Sequence, residues 1–113
     1  MRATTTINGT QVEYDEVSTE EGERLQAEGA AILDVRNPDE RARLYVAGSV
    51  HIPLPELAGR LHEVPAGRLL VICARGVRSA TAAQVIEQAT GRRDVSSIAG
   101  GTDAWAAEGR PLG

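Results

Sequence analysis

Lysine is absent from this 113-residue chain, and one cysteine, Cys73, is its entire thiol content. A lone cysteine closes no internal disulfide, and no cluster of Cys and His has the spacing of a structural zinc site. Such a chain suits a reducing, cytoplasmic compartment, where a free thiol persists. It also has no need of a staple. A chain of 113 residues makes one domain and buries roughly two-thirds of the surface its unfolded state exposes. No apolar run approaches the roughly 20 residues of a membrane helix, and Met1–Thr6 lacks the apolar core of a signal peptide. A membrane partner is therefore not expected. A carboxylate pair, a Ser/His/Asp set and a P-loop are missing as well. The net charge of −4 argues against a nucleic-acid partner.

The charge is unevenly spread. Residues 1–67 hold twelve acids against six arginines, whereas residues 68–113 hold four acids against six arginines. Between Arg68 and Arg78 stand three arginines and no acid. A small anionic ligand is the partner expected there.

Along the chain, Asn8-Gly9 between Thr4–Ile7 and Gln11–Tyr14 predicts a small N-terminal hairpin or extension over residues 1–13. Ser18-Thr19-Glu20-Glu21 reads as a capping box, starting a helix near Thr19 that ends at Gly29. Ala31–Val35 is a short apolar strand. Asn37-Pro38-Asp39-Glu40 combines an Asn cap, Pro at the first helical position and Glu at the third, and opens a helix to about Leu44. Ser49–Ile52 is a further strand, closed by Pro53. Leu54, Leu57, Ala58 and Leu61 share one face of a helix. Leu69–Ile72 is a buried strand, and Ala82, Val85, Ile86 and Ala89 form a helical stripe ended by Gly91. Asp94–Ile98 is the last strand, and Gly100-Gly101 leads into a final helix carrying Trp105. Strands alternating with helices predict an α/β fold: a parallel sheet, helices on both faces and right-handed crossovers.

Cys73 falls at the carboxyl end of the Leu69–Ile72 strand, the edge of a parallel sheet where sites are built. A lone cysteine in itself is a small buried hydrophobe. This one is followed by Ala74-Arg75-Gly76-Val77-Arg78-Ser79, and that company changes the reading. Thiols become nucleophiles as thiolates, favoured by nearby cations or a helix N-terminus. Arg75 and Arg78 supply the cations, and the helix starting near Val77 aims free N–H groups back at the loop. Gly76 permits the bend that turns amides inward as an anion nest. Ser79 can cap the helix or add a hydroxyl.

Cys73-Ala74-Arg75-Gly76-Val77-Arg78-Ser79 resembles the active-site loop of the rhodanese (thiosulfate sulfurtransferase) family, Cys-x-x-Gly-x-Arg-Ser. Three other segments are similar to family signatures: Ile32–Arg36 with Glu40, Gly48–Pro53, and Gly100-Gly101 with Ala104-Trp105 and Gly109–Pro111. The resemblance spans about residues 14–112, and residues 14–113 are identified as a rhodanese domain. It implies a three-layer fold with a mostly parallel, five-stranded central sheet. It further implies that Cys73 attacks the outer sulfur of a small anionic donor such as thiosulfate and becomes a persulfide. A thiol acceptor (a small thiol or a thioredoxin-like protein) or cyanide then takes the sulfur, in a two-step covalent scheme without metal or organic cofactor. Ala74, Arg75, Gly76, Val77, Arg78 and Ser79 would bind substrate, with Arg75 and Arg78 on the donor's charge.

Related phosphatases place five residues between cysteine and arginine; here four separate Cys73 from Arg78. The smaller ring suits one sulfur and disfavours a phosphatase or arsenate reductase using the same cysteine. A non-catalytic redox or partner-binding module is the other alternative. The chain departs from the family at Ala74, where arginine is common, at Leu44–Ala47 and at Ala99. Asp34 and Arg36 are expected at the same sheet edge as Cys73, either bracing the site or forming a simple ion pair. Glu40 is read as the partner of its helix cap, His51 as a core histidine, His62 as solvent-facing and Trp105 as a packing anchor.

Overall fold

Ala31-Ile32-Leu33 and Leu69–Ile72 are short aliphatic runs without a polar residue, and they lie side by side at the heart of one sheet. The structure is a computed structural model that describes residues 1–113. Its strands are β1 (Arg2–Ile7), β2 (Thr10–Val17), β3 (Ala31–Asp34), β4 (Val50–His51), β5 (Leu69–Ile72) and β6 (Val95–Ile98). They are ordered β1-β2-β6-β5-β3-β4. All neighbours are parallel except the β1–β2 pair. Helices α1 (Thr19–Ala27), α2 (Pro38–Arg43), α3 (Leu54–Leu57), α4 (Val77–Thr90) and α5 (Gly101–Ala107) complete the chain.

The sheet has six strands rather than the five expected. The extra strand comes from the hairpin, which is part of the sheet. Asn8 and Gly9 form its two-residue turn, both with positive φ (51° and 78°), the conformation that matches strand twist. β2 then continues past residue 13 and pairs with β6 through Asp15, Glu16 and Val17. The cause lies in the alternation of β2: Val12 and Tyr14 point inward and are buried among the core side chains.

Because β5 is covered on both faces, its residues divide between two cores. Leu69 and Val71 join Leu33, Val95, Ala82, Ala83 and Ile86 beneath α4, while Leu70 and Ile72 join Ile32, Val46, Ile98 and Trp105 on the other side. This is the three-layer arrangement that the βα order requires.

Helix boundaries follow the caps with two differences. The Ser18 hydroxyl accepts from Glu21 N–H at 3.1 Å, but the return half of the capping box is not made, because the Glu21 carboxylate turns to Arg24. The apolar face over 54–61 is not one helix: α3 ends at Leu57 and a 3₁₀ turn follows at Leu61–Glu63. Gly59, a poor helix former, sits between them, and Gly59 and Arg60 donate to Glu56 and Leu57, three residues back. In α4 the buried face is Ser79, Ala80, Ala82, Ala83 and Ile86, and Ala89 is exposed. No helix is long and apolar enough to cross a membrane.

Candidate active site

β5 ends at Ile72, and the chain passes through Cys73-Ala74-Arg75 to Gly76, which takes φ 100° and starts α4. That left-handed turn, accessible to glycine, bends the loop back on the cysteine. Gly76 N–H donates to Cys73 Sγ at 3.1 Å. The Ser79 hydroxyl lies 3.3 Å from Sγ and 2.7 Å from the Ser97 hydroxyl of β6. Sulfur thus sits at the end of a buried pair of hydroxyls, and the residue is 1 % exposed.

The amides of Ala74, Arg75, Val77 and Arg78 donate to no protein acceptor. They surround a pocket of about 210 Å³ lined by Cys73, Ala74, Arg75, Val77 and Arg78. Unpaired N–H groups beside a helix N-terminus favour negative charge.

The loop is held from behind by α5. Thr102 N–H donates to the Cys73 carbonyl at 2.8 Å, and Asp103 N–H to the Ala74 carbonyl at 3.0 Å. This approach requires glycine at 101, where a Cβ would overlap the Cys73 carbonyl oxygen and lie 2.5 Å from the Ala74 carbonyl carbon.

The positive stretch is less free than its sequence suggests. Arg78 donates to both oxygens of Glu40, at 2.6 and 2.8 Å. This bidentate pair raises the Arg78 pKa and holds the Glu40 carboxyl far below its usual range, at about 2. Glu40 Oε1 also accepts from Asn37 N–H at 2.9 Å, so one carboxylate serves both the α2 cap and Arg78 of the cysteine loop. Arg75 stands 84 % exposed, with its Nε 3.4 Å from Asp103.

The rhodanese-like domain family matches residues 18–108. The chain belongs to that family. Among curated proteins, this rhodanese-like chain is 30 % identical over 94 residues to thiosulfate sulfurtransferase GlpE of Pseudomonas syringae pv. syringae (strain B728a), covering 82 % of the chain and 88 % of that protein. A sulfurtransferase of Allochromatium vinosum is 34 % identical over 87 residues, covering 75 % and 79 %. Among solved structures, a rhodanese-related protein from Thermoplasma volcanium superposes with a TM-score of 0.79 at 29 % identity, covering 88 % of this chain and 98 % of that one.

Within the rhodanese-like domain, Asp34 and Arg36 do not hydrogen-bond to the cysteine loop. They form a buried pair, the guanidinium 2.9 Å from the carboxylate, and Arg36 also donates to the Leu44 carbonyl at 2.7 Å. Arg41 joins them, reaching Asp34 at 3.3 Å and the Ser49 hydroxyl at 3.0 Å. The cluster fastens the Leu44–Ser49 segment to the end of β3. His51 Nε2 donates to the Arg36 carbonyl at 2.7 Å, His62 faces solvent, and Trp105 is buried with its N–H on the Pro111 carbonyl.

Ser97, Thr102 and the second role of Glu40 escape sequence reasoning. Ser97 is one of two adjacent serines in a buried strand, an unusual pair that signals polar partners nearby. Gly100-Gly101 signals the close approach of α5, though not the carbonyls it meets.

Proposed function

We propose that this chain is a sulfurtransferase that carries sulfane sulfur on Cys73, taking it from thiosulfate or a persulfide donor and passing it to a thiol or cyanide. The observation that carries this reading is the setting of Sγ: it lies at the floor of an amide-lined pocket, with Gly76 N–H at 3.1 Å and the Ser79 hydroxyl at 3.3 Å. The names of the relatives point the same way.

In the first step the Cys73 thiolate attacks the outer sulfur of thiosulfate. The new Sγ–S bond forms as the S–S bond of thiosulfate breaks, and sulfite leaves with the electron pair. The terminal sulfur then bears the charge, facing the free amides of Ala74, Arg75, Val77 and Arg78, which favour it without reorganisation. In the second step the acceptor attacks that sulfur, and Sγ leaves as thiolate. Cyanide thereby becomes thiocyanate, and a thiolate becomes a persulfide. The Ser97–Ser79 hydroxyl chain can point a proton at Sγ whenever it is anionic.

Donor charge falls mainly to Arg75 and the amides, because both terminal nitrogens of Arg78 already bind Glu40. The four-residue span from Cys73 to Arg78 supports sulfur over the larger phosphate group. No metal or organic cofactor is required by this scheme, and a reducing cytoplasm suits its free thiol.

The test is incubation with thiosulfate followed by intact mass measurement. One added sulfur is expected on the protein, removed by cyanide as thiocyanate, and absent in Cys73→Ser. Failure of the wild-type chain to gain sulfur from thiosulfate or a small persulfide overturns the proposal.

A further inference from the structure

A second cavity of about 200 Å³ adjoins the cysteine pocket and is lined by Arg36, Glu40, Arg43, Leu44, Ala74, Thr102 and Asp103. Ala74 lines both cavities. The Arg78–Glu40 ion pair stands between them, with Arg78 on the cysteine side and Glu40 on the other. A ligand whose reacting atom meets Cys73 can therefore extend past the small side chain of Ala74 into the second cavity.

Two groups there lack partners. Of the twelve arginines, only Arg43 and Arg93 make no hydrogen bond or ion pair, and Arg93 lines a separate surface pocket with Glu87, Gln88 and Gly91. Arg43, in the last turn of α2, is the unpaired cation at the cysteine edge. Thr102 is 2 % exposed, yet its hydroxyl bonds to nothing in the protein. No enclosed side-chain oxygen or nitrogen lacks a partner, so this hydroxyl opens onto the cavity that Thr102 lines. The remaining charges are engaged: Arg36 with Asp34, Glu40 with Arg78, Asp103 loosely with Arg75.

We propose that this cavity seats the sulfur acceptor, a low-molecular-weight thiol bearing a carboxylate, with Arg43 on the carboxylate and the Thr102 hydroxyl as a second contact. The inference rests on the sulfurtransferase reading. Charge-assisted bonds of this kind are strong and orient their ligand. Asp103, held only by a 3.4 Å contact from the exposed Arg75, has a second carboxylate oxygen to offer an ammonium on the same molecule, as in cysteine. The cavity is smaller than the roughly 300–1,000 Å³ of drug-sized sites, which suits an amino-acid-sized group. Its lining offers Leu44 and Ala74 as the apolar residues, too little for the apolar centre of a protein interface.

With the acceptor seated, its thiolate attacks the outer sulfur of the Cys73 persulfide. The new S–S bond forms on the acceptor, the bond to Sγ breaks, and Sγ takes the electron pair. No net oxidation occurs.

The experiment loads the full chain with thiosulfate, confirms the persulfide by mass, and measures its discharge by cysteine, cysteine methyl ester and cyanide. Each thiol's kcat/KM is normalised to the cyanide value of the same variant, so that altered loading cancels. In Arg43→Ala the cysteine-to-ester ratio is expected to fall about tenfold, mainly through KM, with Arg43→Lys recovering part of it. Thr102→Val, a change of similar shape, is expected to raise KM for cysteine. An unchanged ratio in Arg43→Ala overturns the proposal, as does faster discharge by a thioredoxin-type protein that ignores Arg43. Failure of the wild-type chain to load sulfur is a different result, and counts against the sulfurtransferase reading itself.

Discussion

Arg78 and Glu40 are 38 positions apart in sequence, and their meeting is the chief electrostatic fact of the site. Arg78 is visible in the motif after Cys73, but nothing local identifies its partner. Glu40 is already explained by its helix cap, and one carboxylate oxygen accepts from both Asn37 N–H and Arg78. The pair makes stability depend on pH in a definite direction. Glu40 is lowered from its ordinary 4.5 to about 2, so its contribution is fully present above about 4.5 and is lost as pH falls through about 2. A shift of that size would be worth roughly 3 kcal/mol for an enclosed group. With the Glu40 side chain 25 % exposed and that of Arg78 33 %, solvent reduces the expected value to about 1–2 kcal/mol. Glu40→Gln keeps an acceptor for Asn37 N–H but loses the charge. Urea unfolding at neutral pH is expected to show that destabilisation, and the gap between wild type and variant should close as pH approaches 2. A gap that persists undiminished in acid would mean the ion pair is not its source. Freeing Arg78 should also lower KM for thiosulfate, since another cation then faces the donor.

Among the elements, α5 has the position that its sequence least reveals. Its length and its tryptophan are legible, and Gly100-Gly101 marks a tight entry. That this entry sets two helix N–H groups on the Cys73 and Ala74 carbonyls is a tertiary matter. The same divide holds for α3: its apolar spacing reads as a longer helix, but Gly59 and the packing of Leu57 break it into two short turns. Gly101 and Gly91 make a controlled comparison. Both have positive φ, 60° and 73°, so alanine is strained at either by about 1–2 kcal/mol. At Gly91 a Cβ meets nothing within 4 Å, whereas at Gly101 it collides with the cysteine loop. Gly91→Ala is expected to lose only the strain energy and to load sulfur at the wild-type rate. Gly101→Ala is expected to lose at least about 3 kcal/mol, as close overlap adds to strain, and to load sulfur at least tenfold more slowly because α5 must retreat from the loop. Equal loading by the two variants would show that the brace does not set the site's geometry.

At the scale of the whole molecule, the βα alternation made the parallel sheet, its two-faced cover and the cysteine edge readable. The strand count was not, because the hairpin's role depends on where its inward side chains find a core. Val12 and Tyr14 pack with Leu69, Val71 and Val95, while Ala3 and Ile7 of β1 add partial cover from the sheet's end. β1 is an edge strand separated from β5 by β2 and β6, so stability and chemistry should separate there. Deleting residues 1–9 removes β1 and the turn, strips Ala3 and Ile7 from the core margin and leaves β2 paired only with β6. At about 25 cal/mol per Å² of apolar surface, partial burial of these two side chains contributes about 2 kcal/mol, to which the lost ladder adds. The truncated chain is expected to unfold at lower urea and to aggregate more readily through its exposed β2 edge. Where it remains folded, it should load sulfur on Cys73 within about twofold of the full chain. Loss of loading in a chain still folded by circular dichroism would show instead that the hairpin governs the cysteine loop through β6, by way of Ser97 and its bond to Ser79.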